Sequence, residues 1–385
     1  MANEQAVRVP APRHRGVYDA VVIGGGLVGA AVAYGLRREL EHVAVLDEGD
    51  VAYRASRGNF GLVWVQSKGM GLPSYGVWTM ASAGLWPRLA AELLDKTGVD
   101  VRLEQRGGLH VLLSDEEQEA RVRFMTGLLA QPGMSSYEWK LLDRHQLAEL
   151  VPGIGPDVRG ATWTPVDGIA NPLKLLRALH IAFARDGVDY LPRRAAQAVQ
   201  RVGDTFEIAT AQGPVRGRKL VLAAGLGNRA LGEHVGLSVP VRPQRGQIIA
   251  LERTRRVLQT PLSTLRQMDE GTWLIGDSQE EAGYADSAVG LPILGTLADR
   301  AVRTLPALRD VRVVRSWAAL RVMSQDGFPI YEQSATCPGA YVATCHSGVT
   351  LAAAHALKLA PMIAAGALDA DMAPFSTRRF HVQEA

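Results

Sequence analysis

The feature that most restricts the fold is a glycine-rich turn between an apolar run and a run of small residues. Residues Tyr18 to Ile23 form a short β-branched, apolar run of the kind that becomes a buried parallel strand. Four glycines follow in the pattern G-x-G-x-x-G: Gly24, Gly25, Gly26 and Gly29. The first glycine of such a pattern permits a tight turn, the second lets the backbone approach a pyrophosphate, and the third lets the next helix pack closely. That helix is predicted over Ala30 to Leu40.

An acid at a fixed distance distinguishes a dinucleotide-binding unit from an ordinary strand-to-helix junction. Residues His42 to Leu46 are predicted as a second strand, and Asp47 follows it, 23 residues after Gly24. A carboxylate there can hold ribose hydroxyls and would repel a 2′-phosphate, which disfavours NADP. Glu48 is the alternative acid. The whole pattern predicts a Rossmann-like unit that binds a dinucleotide, and the alternative is a structural junction without a ligand.

Composition excludes several other classes of protein. The chain has 385 residues and a net charge of only +3, with scattered arginines, which argues against nucleic-acid binding. No apolar run approaches the ~20 residues that span a bilayer. Cys337 and Cys345 are the only cysteines, and their spacing offers neither a metal pair nor ligands for an iron–sulfur cluster within this chain. We therefore expect a cytoplasmic protein without a metal site, with a disordered tail over residues 1–15.

Three further segments indicate which dinucleotide is bound. Polar residues follow the acid closely, where a pyrophosphate and an isoalloxazine would pass: Arg54, Ser56, Arg57 and Asn59. The run VLAAGLGN at 221–228 is predicted as a buried strand that ends in Ala-Ala-Gly and closes over FAD. The run YVATCHSGVTLAAAHAL at 341–357 predicts a strand, a turn and a helix whose free N–H groups point at an anion. These segments favour FAD over NAD.

In this order the segments resemble the D-amino acid oxidase and glycine oxidase superfamily of FAD enzymes, over nearly the whole chain. The resemblance also includes RPQRGQ at 242–247 and SWAALRVMSQDGFPIY at 316–331. The latter reads roughly W-x-G-L-R-P-x-T-x-D-G-x-P in that family, with Ala319 and Val322 here in place of the usual Gly and Pro. Its arginine, which binds the substrate carboxylate, matches Arg321. Within the superfamily, SRGNFGLVWVQSKG at 56–69 looks most like the large subunit of opine (octopine or nopaline) oxidases or dehydrogenases.

The resemblance implies a set of site residues. Arg321 and His346 are the expected catalytic residues, where a His346 with a pKa near ~6.5 would tune the flavin charge or accept a proton; a core or capping histidine is the alternative. The residues expected to bind FAD are Gly24, Gly26, Leu27, Val28, Gly29, Asp47, Glu48, Ser56, Arg57, Gly58, Asn59, Ala196, Ala224, Gly225, Gly227, Arg321, Ser347, Gly348, Val349 and Thr350. Noncovalent FAD is expected, because both cysteines follow the segment in which monomeric sarcosine oxidases carry their flavin-linked cysteine.

The reaction implied by the resemblance is oxidation of the C–N bond of an opine, an N-carboxyalkyl amino acid. Hydride passes from the α-carbon to flavin N5, and the imine is hydrolysed to an amino acid and a 2-oxo acid. Small redox subunits are expected as partners, and any FMN or iron–sulfur cluster would belong to them. One alternative is a stand-alone glycine, sarcosine or D-amino acid oxidase that produces peroxide. The other is a non-catalytic assembly subunit stabilised by FAD.

The interleaved motifs predict a discontinuous α/β architecture like that of glycine oxidase, with a Rossmann-like FAD-binding domain and an α+β roof. The FAD-binding domain is expected over 16–84, 158–236 and 318–376. The substrate-binding domain, an antiparallel sheet with helices, is expected over 85–157 and 237–317.

Overall fold

A computed structural model describes residues 14, 16–49, 55–276 and 278–380. The tail expected over 1–15 lies outside the described residues apart from His14, and Arg54 lies outside them as well. Over the described residues there are eighteen strands: β1 (Tyr18–Ile23), β2 (Val43–Leu46), β3 (Leu62–Val63), β4 (Gly108–Leu112), β5 (Lys140–Asp143), β6 (Gly160–Thr164), β7 (Gly168–Ile169), β8 (Asp189–Leu191), β9 (Ala198–Val202), β10 (Thr205–Ala209), β11 (Val215–Leu222), β12 (Val241–Arg253), β13 (Leu265–Gln267), β14 (Thr272–Ile275), β15 (Glu280–Glu281), β16 (Val313–Ser324), β17 (Ile330–Gln333) and β18 (Ala340–Thr344).

The same part of the chain forms nine α-helices: α1 (Leu27–Leu36), α2 (Pro73–Thr97), α3 (Asp115–Leu129), α4 (Arg144–Leu150), α5 (Pro172–Asp186), α6 (Asn228–Glu233), α7 (Leu291–Thr304), α8 (Ala352–Ala354) and α9 (Ala360–Ala365). A π-helix, His355–Leu359, joins α8 to α9. None of these helices, over the residues described, is long and apolar enough to cross a membrane.

The first layer is an eight-stranded sheet in the order β17-β18-β11-β1-β2-β8, with the β9–β10 hairpin attached to β11. Strands β18, β11, β1, β2 and β8 run parallel. Ile23 pairs with Leu46 on one side and with Leu222 on the other. Three strands therefore end level with the glycine turn, and ligands of open α/β sheets bind outside such carboxyl ends.

Helix α1 begins and ends earlier than the predicted range of 30–40. It starts at Leu27 because Gly26, with extended backbone, already caps it, and the N–H of Ala30 donates to the Gly26 carbonyl at 2.8 Å. It ends at Leu36, and the Arg37 side chain then donates to the Asp186 carbonyl at 2.6 Å. The second strand likewise begins one residue later than predicted, at Val43.

The second layer, the roof, consists of antiparallel sheets. A five-stranded sheet has the order β13-β14-β12-β15, and β16 pairs with β12 along eleven residue positions. A three-stranded sheet has the order β4-β6-β5. One apolar core joins these two sheets, with Leu109 from β4 packed among residues that include Ile249 and Leu265. A parallel sheet beneath an antiparallel roof is the predicted fold class.

The division into two domains remains a prediction, and the elements do not break at all of the expected boundaries. Helix α2 is continuous across 84/85, and β16 is continuous across 317/318. Strand β6, expected in the FAD-binding domain, pairs with β4 and β5 of the roof. The cause in α2 is packing, because Ser82 and Trp86 donate to the same carbonyl, that of Thr350, from either side of the expected boundary.

Candidate active site

Asp47 faces the glycine turn. Its Oδ2 accepts the Gly25 N–H at 2.6 Å, and its Oδ1 accepts the Gly49 N–H at 2.8 Å. Each carboxylate oxygen keeps lone-pair capacity for another donor, such as a ribose hydroxyl. Glu48 is exposed at the surface, so Asp47 is the acid oriented toward the turn.

The glycines of the turn allow close backbone approach. Gly24 has φ +109°, and a Cβ there would collide with the Ala223 carbonyl at the end of β11. A Cβ on Gly29 would collide with the Gly24 carbonyl. At the start of α1 the N–H of Leu27 donates to Ser56 Oγ at 2.9 Å, so the segment that follows the acid in sequence returns to the same helix end.

The remaining sequence-predicted cofactor residues lie around this turn or farther toward the roof. The Ala224 N–H donates to Asn228 Oδ1 at 2.8 Å, which holds the loop of Gly225 and Gly227 beyond β11. Ala196 lies two residues after Arg194, and the Arg194 backbone N–H donates to the Asp47 carbonyl at 2.8 Å. Val28 packs at the edge of the core, and Arg57 is exposed. The Gly58 carbonyl accepts the Trp317 indole N–H at 3.2 Å. Asn59 Oδ1 accepts the Gly61 N–H at 2.7 Å.

A cavity of about 540 Å³ lies between the two layers. It is lined by segments that are far apart in the chain, and the lining includes Gly58, Asn59, Trp64, Lys68, Tyr75, His110, Ser263, Arg321, His346, Ser347, Val349 and Thr350. The structure thus brings Arg321 and His346 together with the segment after Asp47 and with the turn at 347–350.

The turn at 347–350 contacts both the segment at 62–64 and the start of α1. Thr350 Oγ1 accepts the Trp64 N–H at 3.1 Å and donates to the Leu62 carbonyl at 3.0 Å. A Cβ on Gly348 would lie 3.6 Å from the Leu27 Cβ, so the turn packs onto the start of α1. The first and last of the predicted FAD segments are therefore neighbours.

Arg321 extends from β16, where its backbone pairs with Gln244 of β12. Its Nη1 donates to the Ser278 carbonyl at 2.7 Å and to the Arg245 carbonyl at 3.4 Å. Burial lowers the pKa of Arg321 to about 10, so the guanidinium stays charged at neutral pH. The side chain lies directly over Gly246, because a Cβ at that glycine would be 2.5 Å from Arg321 Cζ.

His346 is hydrogen-bonded to a lysine. Lys68 Nζ lies 2.9 Å from His346 Nε2. Burial, together with the charges of Lys68 and Arg321, holds the pKa of His346 well below its ordinary value of 6.5. Burial lowers the pKa of Lys68 to about 8, so at neutral pH the ammonium donates and the neutral imidazole accepts. The expected pKa near 6.5 was wrong, because both burial and neighbouring cations oppose protonation.

A buried polar network fixes the segment that carries Lys68. Asp167 accepts the Val65 N–H at 2.6 Å and the Gln66 Nε2 at 2.9 Å. Arg121 donates to the Gln66 carbonyl at 2.6 Å and to Ser67 Oγ at 3.2 Å. Burial raises the pKa of Asp167 to about 7. Three consecutive residues before Lys68 are thus held through their backbone or side chains.

Sequence reasoning missed Lys68, Tyr75 and His110 as lining residues. The Tyr75 hydroxyl lies 2.6 Å from Ser347 Oγ, and burial raises the pKa of the phenol, so it is neutral. Lys68 lies inside the stretch SRGNFGLVWVQSKG, but a single lysine beside serine and glycine is typical of a solvated surface. No local pattern signals that it faces a cavity.

The thiol of Cys345 lies next to His346 in a buried position. Burial raises its pKa to about 12, so it is a neutral thiol. Within the described ranges, no group of three or more His, Cys, Asp or Glu side chains is arranged to hold a metal ion.

The residues present fit FAD. An acid lies at the ribose end, and at Gly24 and Gly29 a side chain would collide with backbone at the turn. The helix start at Leu27 leads on to the cavity wall at 347–350. A parallel sheet with this turn, covered by an antiparallel roof over a cationic cavity, defines a dinucleotide-dependent oxidoreductase.

Comparisons with known proteins specify the family. The family model described as FAD dependent oxidoreductase (DAO) matches residues 19–362, and the chain belongs to this family. The chain is 45% identical over 367 residues to a subunit of opine oxidase from Agrobacterium tumefaciens (strain Ach5), covering 95% of this chain and 99% of that protein. It is 44% identical over 368 residues to the corresponding opine oxidase subunit of Rhizobium meliloti, with the same coverage of both chains.

The fold is similarly close to a solved structure. The crystal structure of glycine oxidase from Geobacillus kaustophilus superposes with a TM-score of 0.84 at 25% identity, covering 93% of this chain and 98% of that one. These comparisons confirm the predicted family, the predicted fold class and the prediction of an FAD-dependent enzyme.

Proposed function

We propose that this chain is the FAD-carrying subunit of an opine oxidase and oxidises the C–N bond of an octopine- or nopaline-type N-carboxyalkyl amino acid. The observation that carries the proposal is Arg321, a charged guanidinium that lines the same cavity as the turn at 347–350. The identity to opine oxidase subunits over nearly the whole chain supports the choice of substrate class.

FAD would be held noncovalently by Asp47 at the ribose, by the turn at 24–29 at the pyrophosphate and by the N–H groups of 348–350 at the pyrimidine end of the flavin. When bound, FAD supplies the acceptor for the hydride that leaves the substrate α-carbon, and water then hydrolyses the resulting imine to an amino acid and a 2-oxo acid. Arg321 would hold the substrate α-carboxylate in a two-point contact and so orient that carbon.

The amine would react in its neutral form. The cavity contains Arg321 and Lys68, and two cations disfavour a third charge on the substrate nitrogen. His346 cannot take the amine proton, because its Nε2 already accepts from Lys68 and its pKa is well below 6.5. The proton therefore passes to bulk water as the substrate binds, and no protein base is required.

Partner subunits are part of the proposal. Both opine oxidase relatives are named as subunits, and we infer that this chain also works in a hetero-oligomer with small redox subunits. Any FMN or iron–sulfur cluster would lie in those partners, since this chain has only Cys337 and the buried Cys345.

The test is an anaerobic stopped-flow experiment in which the purified holoprotein is mixed with octopine, nopaline, glycine, sarcosine, proline or D-alanine. Flavin absorbance is followed, and air is then admitted. Flavin reduction by an opine, with slow reoxidation in air, is the expected result. Reduction by a simple amino acid with rapid peroxide formation would instead assign a stand-alone oxidase, which the glycine oxidase fold also accommodates. Reduction by no amine would assign a non-catalytic assembly role.

A further inference from the structure

The cavity has two cationic side chains that come from different parts of the fold. Arg321 is on β16 of the roof, and Lys68 lies in the segment between β3 and α2. Among the described lining residues, the carboxylate is that of Asp326, which is already bound by Ser324 Oγ at 3.0 Å and by Arg379 at 2.7 Å. The described lining therefore has a net positive charge.

Lys68 has a neutral partner in place of an acid. Its Nζ bonds His346 Nε2, and none of the ion pairs formed between described residues includes Lys68. The Lys68 side chain is only half-buried, because part of it borders the cavity. One hydrogen of the ammonium is used by the imidazole, so two remain available to a ligand. Asp167 acts on this ammonium without forming an ion pair with it, so a bound anion in direct contact would offset more of the cost of burying the charge.

The proposed substrate class supplies such an anion. An N-carboxyalkyl amino acid has a carboxylate on each side of its secondary amine, whereas glycine or a D-amino acid with a neutral side chain has one. A single cation is sufficient to hold a monocarboxylate. A second cation in the same cavity is the complement of a second carboxylate.

We propose that Lys68 binds the second carboxylate of a secondary-amine dicarboxylate, so that Arg321 and Lys68 hold the two ends of one substrate. His346 is a positioning residue that directs the ammonium into the cavity. This inference rests on the proposed function and deepens it, because it assigns the feature that separates an opine from a simple amino acid.

The test uses two ligands that cannot be oxidised as amines: thiodiacetate, with two carboxylates, and (methylthio)acetate, with one. Their dissociation constants are measured on FAD-loaded protein from perturbation of the flavin spectrum. In Lys68→Met we expect thiodiacetate to bind about 10- to 100-fold more weakly. (Methylthio)acetate should change by less than about 3-fold, because Arg321 still holds it. Lys68→Arg should restore most of the preference for thiodiacetate.

The positioning role of His346 has its own readout. His346→Gln offers an amide oxygen to the ammonium and should keep the preference for thiodiacetate. His346→Ala offers no acceptor to the ammonium and should lose part of the preference for thiodiacetate, while (methylthio)acetate binding stays unchanged. Equal loss of both ligands in His346→Ala would contradict a positioning role directed at Lys68.

A measurement on the unmodified protein covers the case in which the variants do not fold. Five titratable groups face Lys68 or interact with its charge: His346, Arg321, Asp167, Tyr75 and Cys345. The preference for thiodiacetate should fall as pH rises through about 8, where the Lys68 ammonium of the free protein is lost. Over that range Arg321 stays charged and His346 stays neutral. A preference that does not change from pH 7 to 9 would overturn the inference.

The two proposals fail in different ways. If opines reduce the flavin but Lys68→Met binds thiodiacetate as tightly as the unmodified protein does, the function stands and the subsite is wrong. If no opine reduces the flavin and the unmodified protein binds thiodiacetate no better than (methylthio)acetate, both are wrong.

Discussion

Arg321 occupies the space that any side chain at position 246 would need. A Cβ added to Gly246 would lie 2.5 Å from the Cζ of Arg321, and the two residues are on the paired strands β12 and β16. The glycine is thus required for the position of the arginine. Gly246→Ala should displace the guanidinium and lower kcat/KM for the opine substrate by about 10- to 100-fold, since small misplacements have large catalytic effects.

The matched control is Gly295→Ala in α7, where a Cβ would meet nothing within 4 Å. It should leave kcat/KM unchanged. Flavin reduction rates as a function of substrate concentration provide the measurement, and an unchanged kcat/KM in Gly246→Ala would contradict a role for Gly246 in positioning Arg321.

Arg321 should contribute to kcat/KM mainly through its positive charge and through the two hydrogen bonds that its guanidinium can make to one carboxylate. Arg321→Met removes the charge and should lower kcat/KM for flavin reduction by about 100-fold or more, as expected for loss of a buried carboxylate partner. Arg321→Lys keeps the charge but loses the two-point contact, so its kcat/KM should lie between those of Arg321→Met and the unmodified protein. FAD content by absorbance serves as the control. Equal activity of Arg321→Met and the unmodified protein would rule out the carboxylate role.

Asp47 and Glu48 are adjacent acids with different predicted effects. Asp47 accepts N–H groups of the turn, whereas Glu48 is exposed. Asp47→Ala should raise the Kd for FAD about 10- to 100-fold through loss of charged hydrogen bonds. Glu48→Ala should have little effect. Titration of the apoprotein with FAD, followed by flavin fluorescence, measures both, and the reverse ranking would make Glu48 the ribose acid.

The Asp167 network should stabilise the fold as well as the cavity wall. In Asp167→Asn an amide donor would face the donor Nε2 of Gln66, while Gln66 Oε1 remains engaged by Arg121 and Thr162. We expect a loss of about 1–3 kcal/mol in the free energy of unfolding, the cost of an unsatisfied buried group. Urea unfolding measures this loss, with Asp204→Asn on the exposed surface as the control. A loss no larger than that of the control would contradict the network.

Two histidines besides His346 should make the fold sensitive to acid. Burial lowers the pKa of both His110 and His355 from 6.5 to about 3. Because the folded pKa is below the unfolded one, their contribution to stability is complete above about pH 6.5 and is lost as pH falls toward 3. Each histidine should lower the free energy of unfolding by up to about 1.4 kcal/mol per pH unit in that window.

Urea unfolding at pH 7 and pH 5 tests this pH dependence. His355→Gln should reduce the difference between the two pH values, because His355 packs against the Tyr331 hydroxyl at 2.7 Å in the core. The exposed His145→Gln should leave the difference unchanged. An identical difference in both variants would show that His355 does not titrate on unfolding.

The parts of the site that were predictable are those encoded by local spacing. The glycine turn and Asp47 lie within 24 residues of one another, so their geometry follows from one β-α-β unit. Arg321 was predictable from the family resemblance of 316–331, a continuous segment that covers the end of β16 and the turn after it. The first and last residues of α1 were less predictable. Gly26 and Arg37 set them through contacts that a periodic sequence pattern does not contain.

The pairing of Lys68 with His346 could not be predicted in the same way. The two residues are 278 positions apart, and the contact depends on the Asp167 network on one side and on the turn at 347–350 on the other. The shift in the pKa of His346 follows from that same long-range packing. The side-chain environment, more than the list of residues, determines what this histidine can do.

The continuity of α2 and β16 has a mechanical consequence. Helix α2 packs against α5 and α8, and β16 pairs with β12, so a rotation at 84/85 or at 317/318 would have to break a helix or a ladder of backbone hydrogen bonds. Closure by hinged rotation needs a few residues that can absorb large backbone changes, which a continuous helix or strand does not provide. Any hinge between the two layers would therefore have to lie in other connecting segments, away from 84/85 and 317/318.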